Sequence, residues 1–378
     1  MASEKGTPTR VYPPAKNVYL CSASVAKRKL DFEEGDVSVD SLSPNPRHLS
    51  PSLRPAGSRG EYRVQVIAGT GNRELAQDVA NQLSLASCQA NIRTFADGEK
   101  FIELENNIRG ADLYVVQPIC PPNLNDNLME LLLLLHTAKL SSAHRVTAVV
   151  PYYGYARQSQ KKKPRVPIAA SAVAQLIEAM SPHRLVTIDL HCGQIQGFFQ
   201  NIPVDNLYAD NALLTYIRHL RIPVEDLVMV SPDAESVEGT ARIADKLAVP
   251  SIATVLKRKS DGVLELVGTV EGRPCIIVDD MIDTGSRIKQ TTEMLSRNGA
   301  KQIYAVATHG VLSGAGIEII NSLDSLTEVC VTDTICQDEN VKKCPKLRVV
   351  TVAHLLAHVI RRLHHEQSLS ELFKPTGS

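Results

Sequence analysis

The chain has 378 residues, no tryptophan, 43% hydrophobic and 22% charged residues, and its 41 basic residues balance 41 acidic ones. The apolar fraction excludes wholesale disorder, and at about 150 residues per domain the length predicts two to three domains. The zero balance excludes a general nucleic-acid binder, which needs a large basic excess, but not an anionic small substrate held by a local cluster.

Residues 1–60 are dominated by Pro, Ser and Arg, as in Ser43-Pro44-Asn45-Pro46 and Ser50-Pro51, and carry no apolar period of 2 or 3.6. This predicts a disordered extension. It has no apolar core of a secretory signal. From Tyr62 the texture changes. Residues 63–68 alternate as a strand, Gly69-Thr70-Gly71 turns, and Leu75, Val79, Ala80 and Leu83 mark a helix face. Strands are then predicted at 113–117, 146–150 and 185–190, with helices at 127–140 and 168–180. The second half repeats the pattern, with strands at 227–230, 252–256, 275–278, 304–308 and 329–331 and helices at 236–247, 286–298 and 352–363.

Strand–helix alternation with continuous apolar strands predicts an α/β fold with mainly parallel sheets flanked by helices. Two units are expected, residues 61–208 and 209–378. The longest apolar run, 131–135, is far short of the about 20 residues that span a bilayer, so no membrane partner is expected. The eight cysteines include no CxxC pair, which fits reduced thiols in a cytoplasmic protein.

In such folds ligands sit at the carboxyl ends of the strands, so motifs at those ends carry the functional argument. The strongest is Asp279-Asp280-Met281-Ile282-Asp283-Thr284-Gly285-Ser286. Paired acids suit the vicinal hydroxyls of a sugar. Gly285 lets backbone approach an anion, and the following helix N-terminus offers free N–H groups. A ribose 5-phosphate would satisfy the whole set. Alternation places Asp189 and His191 on one side of a strand end, and Ser231-Pro232-Asp233 adds a carboxylate, a combination suited to Mg²⁺. Phe95-Ala96-Asp97-Gly98-Glu99 is a turn after a short strand, able to stack a base. Arg157 and Gln158, followed by Lys161-Lys162-Lys163, and Lys257-Arg258-Lys259 place cations where phosphates would lie.

Together with Asn125-Asp126-Asn127, Gln194-Ile195-Gln196-Gly197-Phe198-Phe199, Pro203-Val204-Asp205-Asn206 and Thr308-His309-Gly310, these stretches resemble ribose-phosphate pyrophosphokinases, also called phosphoribosyl pyrophosphate (PRPP) synthetases. The resemblance spans residues 62–373. It implies two phosphoribosyltransferase-like domains, an ATP-side domain at 61–208 and a ribose 5-phosphate domain at 209–378, in a homo-oligomer (a hexamer of dimers) or a mixed oligomer with a related subunit. It implies transfer of the β,γ-diphosphoryl group of ATP to ribose 5-phosphate, with Mg²⁺. By resemblance, Phe95, Asp97, Gly98, Glu99, Arg157 and Gln158 hold ATP, and His191 and Asp233 sit at the metal. Asp279, Asp280, Asp283, Thr284, Gly285, Ser286 and Arg287 hold ribose 5-phosphate, and Lys257 and Lys259 are the catalytic cations.

The chain also departs from the family pattern. Gly285-Ser286-Arg287 replaces the usual Gly-Gly-Thr or Cys-Gly-Thr, and Glu235-Ser236 replaces Gly-Gly. Lys259 stands where arginine is usual, and lysine cannot form a bidentate fork. An alternative is therefore a catalytically weak or inactive paralogue that regulates an active synthetase. A crowded phosphate site is expected at Ser286.

Overall fold

The computed structural model describes residues 62–86, 89–258 and 262–370. The expected extension at 1–60 and the candidate Lys259 lie outside these residues.

The first half of the chain builds a five-stranded sheet from β1 (Val64–Ala68), β4 (Asp112–Val116), β5 (Arg145–Val150), β6 (Arg184–Ile188) and β7 (Val204–Leu207), in that spatial order. Every pairing is parallel. β4 is Asp-Leu-Tyr-Val-Val and is buried along its whole length, as a strand covered on both faces must be. Helix α1 (Arg73–Gln82) starts at Asn72, whose side chain accepts the Leu75 N–H. This satisfies one of the donors that a helix start leaves open. Helices α2 (Leu124–Leu140) and α3 (Ala169–Ala179) cover one face and pack Leu131, Leu134 and Ile177 on Val115, Ala148 and Leu185. A separate antiparallel hairpin, β2 (Ala90–Thr94) and β3 (Lys100–Leu104), flanks the turn at Phe95–Glu99; a short strand before that turn is as expected, while the returning strand β3 is not. Its residues are mostly half-buried or exposed, so the apolar-run criterion passes over it.

The second half builds seven strands in the order β10-β9-β8-β11-β12-β13-β14. These are β8 (Val228–Ser231), β9 (Ile252–Lys257), β10 (Leu264–Val267), β11 (Pro274–Ile282), β12 (Gln302–Gly310), β13 (Leu326–Thr332) and β14 (Leu347–Val350). All pairings are parallel except the edge hairpin β9–β10. The flanking helices are α4 (Asp210–His219), α5 (Val237–Leu247), α6 (Ser286–Arg297), α7 (Gly316–Ser322), α8 (Asp338–Lys343) and α9 (Ala353–His364). The α/β class with parallel sheets is thus as expected.

β11 is longer than the apolar run at 275–278 indicated. Ladder bonding to β12 continues through Asp279 to Ile282, so the acidic pair lies within the strand rather than after it.

The two sheets share one core. Val66 and Val116 of the first sheet, Tyr216 and Leu213 of α4, Leu356 and Ile360 of α9, and Val306 of the second sheet belong to a single buried cluster. At about 25 cal/mol per Å² of apolar surface, such a continuous core resists separation of the two sheets. Their strand ends are therefore held against each other, and that junction carries the candidate site.

Candidate active site

Five strand ends converge. Arg157 follows β5, His191 follows β6, Asp233 follows β8, the acids Asp279 to Asp283 end β11, and Ser313 follows β12. They enclose a cavity of about 220 Å³ whose walls include Arg157, His191, Asp279, Asp283, Thr284 and Arg287. The cavity brings together candidates from both halves of the chain.

The two adjacent acids point to different partners, because consecutive strand residues face opposite ways. Asp280 Oδ2 lies 2.6 Å from His191 Nδ1. Asp279 accepts from Ser236 Oγ at 3.0 Å and from Arg287 Nη1 at 3.2 Å on both oxygens. Arg287 Nη1 also lies 2.9 Å from Asp233 Oδ2. Burial first, and then the charge of Asp280, push Asp279 above the usual carboxylate range against the pull of Arg287. Burial also pushes Asp280 upward, but the hydrogen bond and charge of His191 outweigh it and leave it below the usual carboxylate range. The Asp280 hydrogen bond raises His191 above its ordinary value against the opposing effect of burial.

The loop into α6 has the expected form. Gly285 has φ of 80°, a left-handed conformation that L side chains rarely adopt. Thr284 and Ser286 are exposed, with hydroxyls 3.3 Å apart. Asp283 accepts from Ser313 Oγ and, at 3.3 Å, from Ser313 N, and pairs with Arg157 Nη1 at 2.5 Å. Burial raises Asp283, but these contacts together hold it low.

Other candidates lie elsewhere. Asp189 is not on the His191 side as strand alternation suggested. β6 ends at Ile188, and Asp189 has φ of 41°, which breaks the alternation. Its carboxylate turns inward to Thr308 Oγ1 at 2.6 Å, Ala209 N at 3.0 Å and Arg242 at 3.4 Å. Phe95, Asp97, Gly98 and Glu99 occupy the exposed tip of the β2–β3 hairpin, closed by Phe95 N donating to Glu99 O. They do not line the cavity. Gln158 is exposed beside Arg157, and its backbone bonds Tyr155 and Ala170. Lys257 is exposed at the end of β9, opposite Leu264 in the edge hairpin.

Among the described residues no group of three His, Cys, Asp or Glu side chains is gathered as a ready metal cage. His191 engages Asp280 while Asp233 engages Arg287 and Ser236. Residues the sequence reading passed over include Ser313, which anchors Asp283, and Gly316. A Cβ on Gly316 would lie 2.4 Å from the Asp283 carbonyl oxygen. Their one signal is position, shortly after the Thr308-His309-Gly310 strand end. Among the described residues, six cysteines are free and no helix is long and apolar enough to cross a membrane.

Comparison with known proteins converges on one family. Residues 64–181 match the model of the N-terminal domain of ribose phosphate pyrophosphokinase, and residues 226–374 match the phosphoribosyl synthetase-associated domain. Ribose-phosphate pyrophosphokinase A of Dictyostelium discoideum is 46% identical over 317 residues, 83% of this chain and 99% of its own. The chloroplastic ribose-phosphate pyrophosphokinase 1 of Arabidopsis thaliana is 38% identical over 97% of this chain and 91% of its own. The crystal structure of phosphoribosylpyrophosphate synthetase from Mycobacterium smegmatis superposes with a TM-score of 0.75 at 39% identity, over 80% of this chain and 99% of that one. Matched in sequence across both halves and in structure across four-fifths of its length, the chain belongs to the ribose-phosphate pyrophosphokinase family.

Proposed function

We propose that this chain transfers the β,γ-diphosphoryl group of ATP to the C1 hydroxyl of ribose 5-phosphate, giving PRPP and AMP. The hydroxyl oxygen bonds to the β-phosphorus, the bond from that phosphorus to the α-phosphate oxygen breaks, and the hydroxyl proton is released. The carrying observation is the junction of the Asp283–Arg287 loop, at the N-terminus of α6, with Asp279 and His191 in one cavity, where Arg287 also pairs with Asp233. A helix N-terminus with Gly285 and two hydroxyls suits the 5-phosphate. Asp279 and Asp280 suit the sugar hydroxyls, and Arg157, at the cavity wall, suits the ATP phosphates.

Such chemistry is mostly positioning and charge stabilisation. The donor set fits Mg²⁺. It is rich in carboxylate oxygens, and Mg²⁺ commonly takes one or two carboxylates while substrate phosphates and water complete its shell. His191 and Asp233 would hold it, and when bound it would neutralise phosphate charge. Lys257, at the end of β9 and two residues before Lys259 in sequence, would meet the transferring group. The exposed hairpin tip, with Phe95, Asp97 and Glu99, would hold adenosine across a subunit interface of a homo-oligomer. A cytoplasmic setting belongs to the same reading and rests on the cysteine spacing of the sequence.

The test is AMP and PRPP formation by the purified protein with ATP, ribose 5-phosphate and Mg²⁺. Turnover of about 1 per second or more, the low end for kinases, is expected. Absence of product from protein that still binds ribose 5-phosphate would replace the reading with the regulatory paralogue.

A further inference from the structure

Two of the residues that depart from the family pattern, Ser236 and Arg287, bind the same two acids. Ser236 Oγ lies 2.9 Å from Asp233 Oδ1 and 3.0 Å from Asp279 Oδ1. Arg287 Nη1 lies 2.9 Å from Asp233 Oδ2 and 3.2 Å from each Asp279 oxygen. One guanidinium thus neutralises acids from two different strand ends. It occupies Asp233, the carboxylate proposed to hold the divalent cation. Arg287 is also the sole cation between Asp283 and Ile288, in the loop that faces an incoming anion. Its side chain is 45% exposed, so the long stem has room to turn. A phosphate offers a guanidinium the same charge-assisted fork as a carboxylate.

We propose that Arg287 is a displaceable internal cation of the pocket: it holds Asp233 and Asp279 while the pocket is empty and passes to the entering phosphate, which frees Asp233 for a divalent cation and Asp279 for the sugar hydroxyls. The inference rests on the sugar-phosphate reading of this pocket. Its consequence is a coupling between anion and cation binding. By reciprocity each ligand tightens the other by the same factor. Ribose without the phosphate lacks the group that draws Arg287 away and produces no such tightening.

Mn²⁺ binding to the full chain, followed by electron paramagnetic resonance, tests this without turnover. Titrations are run alone, with ribose 5-phosphate and with ribose, on wild type, R287Q and R287K. In wild type, ribose 5-phosphate is expected to tighten Mn²⁺ by about 5-fold or more, the lower end for coupled sites, and ribose by none. R287Q is expected to bind Mn²⁺ that much more tightly with no sugar present and to gain little from ribose 5-phosphate. R287K keeps the charge and the weak resting affinity. Wild-type Mn²⁺ affinity in sugar-free R287Q overturns the proposal, as does an R287K protein as tight as R287Q. Failure of the reaction itself is read separately, as wild-type protein that makes no AMP, and the sugar-free comparison still judges Arg287.

Discussion

Arg157 Nη1 meets Asp283 Oδ2 at 2.5 Å, although 126 residues separate them in sequence. The first follows β5 of one sheet and the second follows β11 of the other. A side chain proposed to meet ATP therefore rests, in the empty pocket, on the loop proposed to hold the sugar phosphate. Asp283 is also fixed from behind by Ser313, so the arginine closes on a carboxylate whose position is already set.

Gly316 decides how closely α7 approaches that loop. A methyl group there would lie 2.4 Å from the Asp283 carbonyl oxygen, and backbone cannot swing aside as a side chain tip can. Gly316→Ala is expected to cost about 1–3 kcal/mol of stability, the usual range for overpacking. It should weaken ribose 5-phosphate binding through displacement of Asp283. Urea denaturation and calorimetric titration of ribose 5-phosphate check both, and an unchanged midpoint would show that α7 yields freely.

Lys257 lies at the end of β9 and is exposed. If it stabilises charge only as the diphosphoryl group transfers, Lys257→Ala lowers kcat by about 100-fold or more, as for loss of one transition-state donor, and leaves KM nearly unchanged. Steady-state AMP release is the measurement. A risen KM at constant kcat would make Lys257 a ground-state contact instead.

His191 and Asp280 form a pH-dependent pair. The hydrogen bond that His191 donates to Asp280 raises His191 above the ordinary histidine value. A raised folded value contributes stability that is fully present below the unfolded value of about 6.5. That stability is lost as pH rises through the folded value. Wild type should exceed His191→Asn in stability at pH 6, and the gap should narrow toward pH 9. Imidazole NMR titration of Asp280→Asn should show His191 returning toward its ordinary value.

Asp112 lies at the opposite end of the first sheet, at the start of β4. It is buried, with His144 Nδ1 at 2.9 Å and His364 Nδ1, from α9, at 3.0 Å. Burial raises its pKa, but the hydrogen bonds of His364 and then His144 outweigh this and hold it below the ordinary value. Its contribution is therefore present above an unfolded value of about 3.9 and is lost as pH falls through the lower folded value. Asp112→Asn is expected to cost about 1–3 kcal/mol at neutral pH through a weakened buried network. The difference from wild type should shrink in strong acid. Urea midpoints of both proteins across pH 2 to 7 give the answer.

Legibility differed between features for identifiable reasons. Buried parallel strands are apolar on both faces, so β4, β5 and β12 stood out as runs. The half-exposed β2–β3 hairpin has no such signature, so only its turn and the short strand before it were legible, not the returning strand β3. Asp283, Thr284, Gly285 and Ser286 could be read as a phosphate loop because every residue acts locally, through its own backbone turn and the helix start beside it. Asp189 could not. Its positive φ turns the carboxylate toward Thr308, 119 residues away, and strand alternation has no term for such a partner.

The sequence by itself determined the α/β class, the family resemblance and the local chemistry of the strand ends, because helix and strand periods and turn residues act over a few positions. Only the tertiary structure decided which ends meet. It paired Asp280 with His191, set Arg287 across Asp233 and Asp279, and left the Phe95 tip away from the cavity. Those partners lie on different strands, brought together by a core that both sheets share. Their distances follow from packing across that core rather than from spacing along the chain.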